Sequence, residues 1–147
     1  MTQTLLPLAV IVFAGSLAAL QAPLNAALGA SLNSGVAAAT NSFGVGFAAL
    51  LGIALYSGDF AHLSKIGAVN RWLLLGGLLG AFYVWAILWT IPALGIVTAI
   101  SAMILGQLIV SLTLDAFGPF GLPVHDVSFN RVAGVALVAG GLVLSKL

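Results

Sequence analysis

Apolar residues dominate the chain in five long runs, separated by short breaks rich in glycine, proline or charge. The pattern predicts an all-α integral membrane protein with five transmembrane helices, at residues 4–29, 35–57, 71–91, 93–116 and 130–146. Residues 94–114 hold no charge over 21 positions, and at about 1.5 Å per residue such a helix is about 32 Å long, enough to cross a hydrocarbon core. The first run, residues 5–32, exceeds one crossing but contains no turn sequence. It reads as a single helix kinked at Pro23. Asn33 or Ser34 is placed to cap the second helix.

Residues 57–71 carry Asp59, His62, Lys65 and Arg71 and read as a loop, followed by Trp72 at interfacial depth. Pro92 is expected to end the third span and to open the fourth at its first position. Residues 117–130 are dense in Gly and Pro and read as a second long connection. The last apolar run lies between Arg131 and Lys146, about 21 Å of helix, and crosses only if both side chains snorkel or the bilayer thins.

Helical periodicity sorts residues into faces. Gln107, Ser111 and Asp115 share one face of the fourth span with Ser101 nearby, and Gly95, Ala99, Ala102 and Gly106 lie roughly opposite. In the third span Gly76, Gly80, Tyr83 and Ile87 oppose Leu78, Phe82, Trp85 and Trp89. Gln21 and Asn25 share a face of the first span, Asn41 lies near the start of the second, and Ala136 and Gly140 form a small-xxx-small pair in the fifth.

Composition removes several function classes. With 62% hydrophobic and 5% charged residues and a mean hydropathy of +1.24, the chain falls far below the roughly 25% charged residues of soluble domains. A net charge of +1 provides no basic patch for nucleic acid. There is no cysteine, and the two histidines have no partner at metal-ligand spacing, so no metal and no cofactor is expected. No nucleophile–base pair or phosphate loop points to an enzyme. The first apolar run lacks a basic n-region and is expected to be a retained span rather than a signal peptide.

Gln21, Asn25, Asn41, Tyr83, Gln107 and Ser111 are the candidate substrate-binding residues, and Asp115 is the candidate for ion coupling. Each has a structural alternative. The amides can serve as interhelical glue, and Asp115, in the last turn of its helix, can pair with Arg131 or reach the headgroups. Trp85 and Trp89 could box a cation or simply face lipid. No carboxylate lies at the middle of a span.

The whole chain resembles the five-span YdcZ-type inner-membrane exporters of the drug/metabolite transporter superfamily. The likeness is carried by Gln21, Leu24 and Asn25, by GGLLGAF at residues 76–82, by IPALG at residues 91–95, by LGQLIVSLTLDAFGPFG ending at Gly121, and by Arg131 with Gly134. Ala116 stands where the family's usual DHFG pattern has histidine, so no role passes to that position.

The resemblance implies bacterial inner-membrane localisation and assembly as half of an inverted-repeat, ten-helix antiparallel pair, either a homodimer or a heterodimer with an inverted homologue. Five crossings leave Lys65, Arg71 and Arg131 on the side of the N-terminus and Lys146 on the other. That bias places the N-terminus in the cytoplasm and is small enough to admit dual orientation. The expected function is secondary transport by alternating access, with Gln21, Asn25 and Asn41 of one copy at the depth of Gln107, Ser111 and Asp115 of the other, and the absence of a deep fixed charge in the spans points to a small neutral or weakly cationic solute. A non-transporting accessory or scaffold protein that binds another membrane protein is the alternative.

Overall fold

The computed structural model describes residues 2–146, which are predominantly helical and contain no strand. Helix α1, Thr2–Ser31, is one continuous element with Pro7 and Pro23 inside it, as the absence of a turn sequence required. Asn33 then adopts φ 51° and the Ser34 N–H donates to the Gly29 carbonyl at 2.9 Å, which turns the chain within three residues. Ser34 caps α2, Gly35–Ser57, its side chain accepting from the Ala37 N–H at 3.1 Å.

The hydrophilic connection is not an open loop. Asp59–Ala68 forms a 3₁₀ helix, η1, and Arg71–Leu74 a second, η2, leading into α3, Leu75–Leu94. Nor does α3 stop at Pro92, which lies inside it. A proline in the last turn removes one donor and leaves the rest of the ladder intact, so the helix runs on to the residue that does break it. That residue is Gly95, at φ 77° and ψ 163°, a conformation reached essentially only by glycine.

Helix α4, Ile96–Phe117, ends at Gly118 with φ 56°. A turn at Pro119–Gly121 folds the chain back so that the His125 N–H donates to the Asp115 carbonyl at 2.9 Å. Ser128 caps α5, Phe129–Leu144, by accepting from the Arg131 N–H. Among the described residues, four stretches are long and apolar enough to cross a membrane: Thr4–Ser31, Gly35–Ser57, Arg71–Leu94 and Ile96–Phe117. The last apolar run, expected as a fifth crossing, forms a shorter helix of 16 residues, about 24 Å against a core of about 30 Å.

The chain divides into two compact units, Met1–Pro92 and Ala93–Leu147. In the first, Ala38, Ala39, Val84 and Leu88 form the buried centre, with Ala26, Leu28 and Tyr83 packed against it. Small residues set the spacing: a Cβ on Gly29 would lie 3.5 Å from the Gly35 Cα, and one on Gly80 would lie 3.7 Å from the Phe43 ring. In the second unit α4 packs on α5, and Thr98 and Ala99 are buried. The Thr98 hydroxyl donates to the Ser145 carbonyl, and the Ser145 hydroxyl lies within bonding distance of Thr98 Oγ1, both at 3.3 Å. Large apolar side chains along α1 to α4, such as Phe13, Leu50, Leu79 and Val97, are exposed, as a lipid-facing surface requires.

Gly95→Ala should destabilise the protein by about 1–3 kcal/mol, because alanine cannot adopt that backbone without strain. Gly140→Ala, where a Cβ meets open space on an ordinary helical backbone, should not destabilise it. Thermal unfolding of both variants in one detergent separates the two outcomes.

Candidate functional site

Polar side chains in a membrane helix must be satisfied by the protein, by water or by a ligand, since lipid offers no partner. Most hydroxyls here are satisfied locally. Ser16, Ser31, Thr40, Thr90 and Thr113 each donate to the carbonyl four residues earlier. The candidate residues divide according to whether they too have found a partner.

In the first unit the Asn25 Nδ2 donates to Ser42 Oγ at 3.1 Å, and Asn25 is buried. This bond joins α1 to α2. Gln21, one turn before Asn25, is exposed and lines a cavity of about 400 Å³ with Ser42, Phe43, Gly46, Phe47, Leu50 and Val84. Gln21 and Asn25 therefore meet at Ser42, one beside the cavity and one bonded at its edge. Asn41 is exposed on α2, and its side chain has no hydrogen bond among the described residues. Tyr83 is half-buried against the central cluster and is brought to none of the cavities described here.

Trp85 and Trp89 stack with centroids 6.3 Å apart and planes within 10°. They border a separate cavity of about 370 Å³ at the α1–α2 turn, beside Asn33 and Ser34.

In the second unit Arg131 Nη1 lies 2.9 Å from Asp115 Oδ2, both side chains being about two-fifths exposed. The pairing that the position of Asp115 allowed is formed. Ser111, Asp115, Asn130 and Arg131 are the polar lining of a cavity of about 360 Å³ completed by Leu108, Leu112, Gly134 and Val135. Ser111 is exposed, and unlike the hydroxyls above it makes no hydrogen bond among the described residues; Gln107, one turn earlier, is likewise exposed and unbonded. Thus Ser111 and Asp115 come together at one cavity, while Gln107 lies above it on the open face of α4. No group of three or more His, Asp or Glu side chains that could hold a metal ion occurs among the described residues.

Compared with known proteins, the chain matches over residues 6–144 the family described as "Putative inner membrane exporter, YdcZ". The chain belongs to the YdcZ family. It is accordingly a multi-pass inner-membrane protein of a transporter family. It is also 34% identical over 76 residues to the Inner membrane protein YdcZ of Escherichia coli (strain K12). That similarity covers 52% of this chain, which spans about half the length of the relative. No solved structure matches the chain.

Within this YdcZ-family chain, sequence reasoning overlooked Ser42 as the partner of Asn25 and the Thr98–Ser145 clasp. Both bonds link different helices, and one of them spans 47 positions in sequence, so helical periodicity carried no signal for it. Asn130 was also missed, because it sits in the first turn of α5 beside the more conspicuous Arg131.

A double-mutant cycle of Asn25→Ala and Ser42→Ala should return a coupling of about 0.6 kcal/mol, and no more than about 1.7, as for other interhelical bonds in membranes. Unfolding in detergent measures it. Additive effects would remove the bond from the account of α1–α2 packing.

Proposed function

We propose that the chain is one half of an antiparallel pair that moves a small, neutral or weakly cationic solute across the inner membrane by alternating access. The observation that carries this reading is the set Gln21, Asn41, Gln107 and Ser111, which lie along membrane helices, exposed and without partners among the described residues. An unpaired amide in hydrocarbon costs several kcal/mol, so these groups call for a second protein surface, a wetted path or a solute. An inverted copy supplies all three at once. It places Gln21, Asn25 and Asn41 of one chain at the depth of Gln107, Ser111 and Asp115 of the other, and the cavities then open onto a shared path.

The fifth crossing is part of this proposal. With Arg131 and Lys146 at its two ends, α5 reaches both interfaces by snorkelling, and the odd number of crossings makes inversion the route to a closed repeat. Ala136 and Gly140 are exposed on α5, which leaves a small-residue face free for close helix contact. Solute charge follows from the lining. Mid-span polar groups are uncharged, and the Asp115 carboxylate beside its cavity is paired with Arg131, so no fixed charge there selects a strong anion or cation. A proton or a weakly cationic solute reaching Asp115 competes with Arg131 for the same carboxylate, which gives Asp115 a coupling role.

Flux in proteoliposomes tests the proposal. Asp115→Asn should abolish transport driven by a pH gradient while leaving passive exchange. Gln107→Leu, on an exposed face, should reduce transport at least severalfold without lowering thermal stability. Transport that survives both substitutions with normal pH dependence would move this polar stripe to a structural role, and the absence of any flux in the unsubstituted protein would favour the accessory reading.

A further inference from the structure

The connection between α2 and α3 has a repeat that neither a water-exposed loop nor an α-helix would need. In residues 59–68, DFAHLSKIGA, apolar side chains recur every third position. A 3₁₀ helix has three residues per turn, so residues i and i+3 stand above one another. Helix η1 therefore carries three stripes. Phe60, Leu63 and Ile66 form an apolar one, Asp59, His62 and Lys65, ending at Ala68, the second, and Ala61, Ser64 and Gly67 a third of small residues. The second stripe shows the alignment directly, with His62 Nδ1 3.5 Å from Asp59 Oδ1.

The apolar stripe is uncovered. Phe60, Leu63 and Ile66 are 51%, 48% and 54% exposed, and no residue of η1 is buried. At about 2.0 Å per residue the helix is about 20 Å long, long for its type, and both ends are fastened. α2 stops at Ser57, and the span containing α3 starts at Arg71, so η1 is held at the membrane surface. Its stripe leads on to Val69 and Trp72, which are also exposed, and an indole at the head of a span belongs to the interface.

Charge is arranged to match. Asp59 is occupied within the chain, accepting from the Ser57 hydroxyl at 2.7 Å and facing His62. Lys65 and Arg71 have no ion-pair partner among the described residues.

We propose that η1 lies in the interface of the bilayer that holds α2 and α3, with Phe60, Leu63 and Ile66 set at the acyl boundary and Lys65 on lipid phosphate. The occupant of the stripe is phospholipid. Continuity with the lipid-facing helices at both ends supplies the apolar layer, and the unpaired cations complement anionic headgroups, which is the chemistry of interfacial amphipathic helices. The residues of η1 line none of the solute cavities described above, and the proposal does not rest on transport.

The chain has no cysteine, so single cysteines at each position from 59 to 68 can be spin-labelled in the full chain. Reconstituted in vesicles of phosphatidylethanolamine and phosphatidylglycerol, labels at 60, 63 and 66 should collide severalfold more with oxygen, which concentrates in lipid, than with a water-soluble nickel chelate. Labels at 59, 62 and 65 should show the reverse. Uniform access of the chelate to all ten positions would overturn the proposal, and so would a stripe protected from both reagents, which would mean that protein covers it. Lys65→Gln in the Ile66→Cys background should reduce the contrast, and an unchanged contrast would remove the phosphate contact.

Discussion

Hydrocarbon offers no hydrogen bonds, and the organisation of this chain follows from where each polar group finds one. Helices satisfy the backbone, and carbonyls one turn earlier take many of the hydroxyls. Side-chain links then join helices, among them Asn25 with Ser42, Thr98 with Ser145, and Asp115 with Arg131. Each lies at a place where two helices already approach over small or apolar residues. After these links are made, Gln21, Asn41, Gln107 and Ser111 remain without hydrogen bonds among the described residues, on exposed faces of α1, α2 and α4, and function is to be sought there.

Packing reinforces that division. Lipid tails are as apolar as leucine, so burying leucine does not drive helices together in a membrane; close approach does. The centre of the first unit accordingly rests on Ala38 and Ala39 of α2 and on Gly29 of α1, with Val84 and Leu88 of α3 filling the space between. Phenylalanine, tryptophan and most of the leucines stay outside, facing lipid. A chain built this way keeps a small buried centre and a large exposed surface, and the exposed small pair Ala136 and Gly140 is the kind of face by which such a surface meets another helix.

Much of the helical architecture was legible because long uncharged runs have few other solutions in lipid. The cap at Ser34 was legible because it depends on local sequence, and the ion pair at Asp115 because Arg131 stands at the start of the next apolar run, on the same side of the membrane. The connections were less so. Counting charges between residues 57 and 71 suggested a loop, whereas the three-residue period of Phe60, Leu63 and Ile66 encoded a 3₁₀ helix. Pro92 looked like a terminator, yet a proline so near a helix end removes little, and the positive φ that ends α3 belongs to Gly95. Long-range partners such as Ser145 for Thr98 cannot be read from periodicity, because they depend on which helices become neighbours. Of the candidate site, Ser111 and Asp115 share a cavity, Gln21 lines another, and Tyr83 sits against the core.

The central claim is that the unpartnered polar faces of two oppositely oriented copies meet. It is tested most directly by disulfide formation in native membranes between two co-expressed, differently tagged copies of this cysteine-free chain, one carrying Gln21→Cys and the other Ser111→Cys. The account predicts a mixed-tag, disulfide-linked dimer on mild oxidation, formed more readily than with cysteines on the lipid-facing positions Phe13 and Val97. Both copies remaining unlinked while fully embedded, or linking no better than the lipid-facing controls, would contradict it.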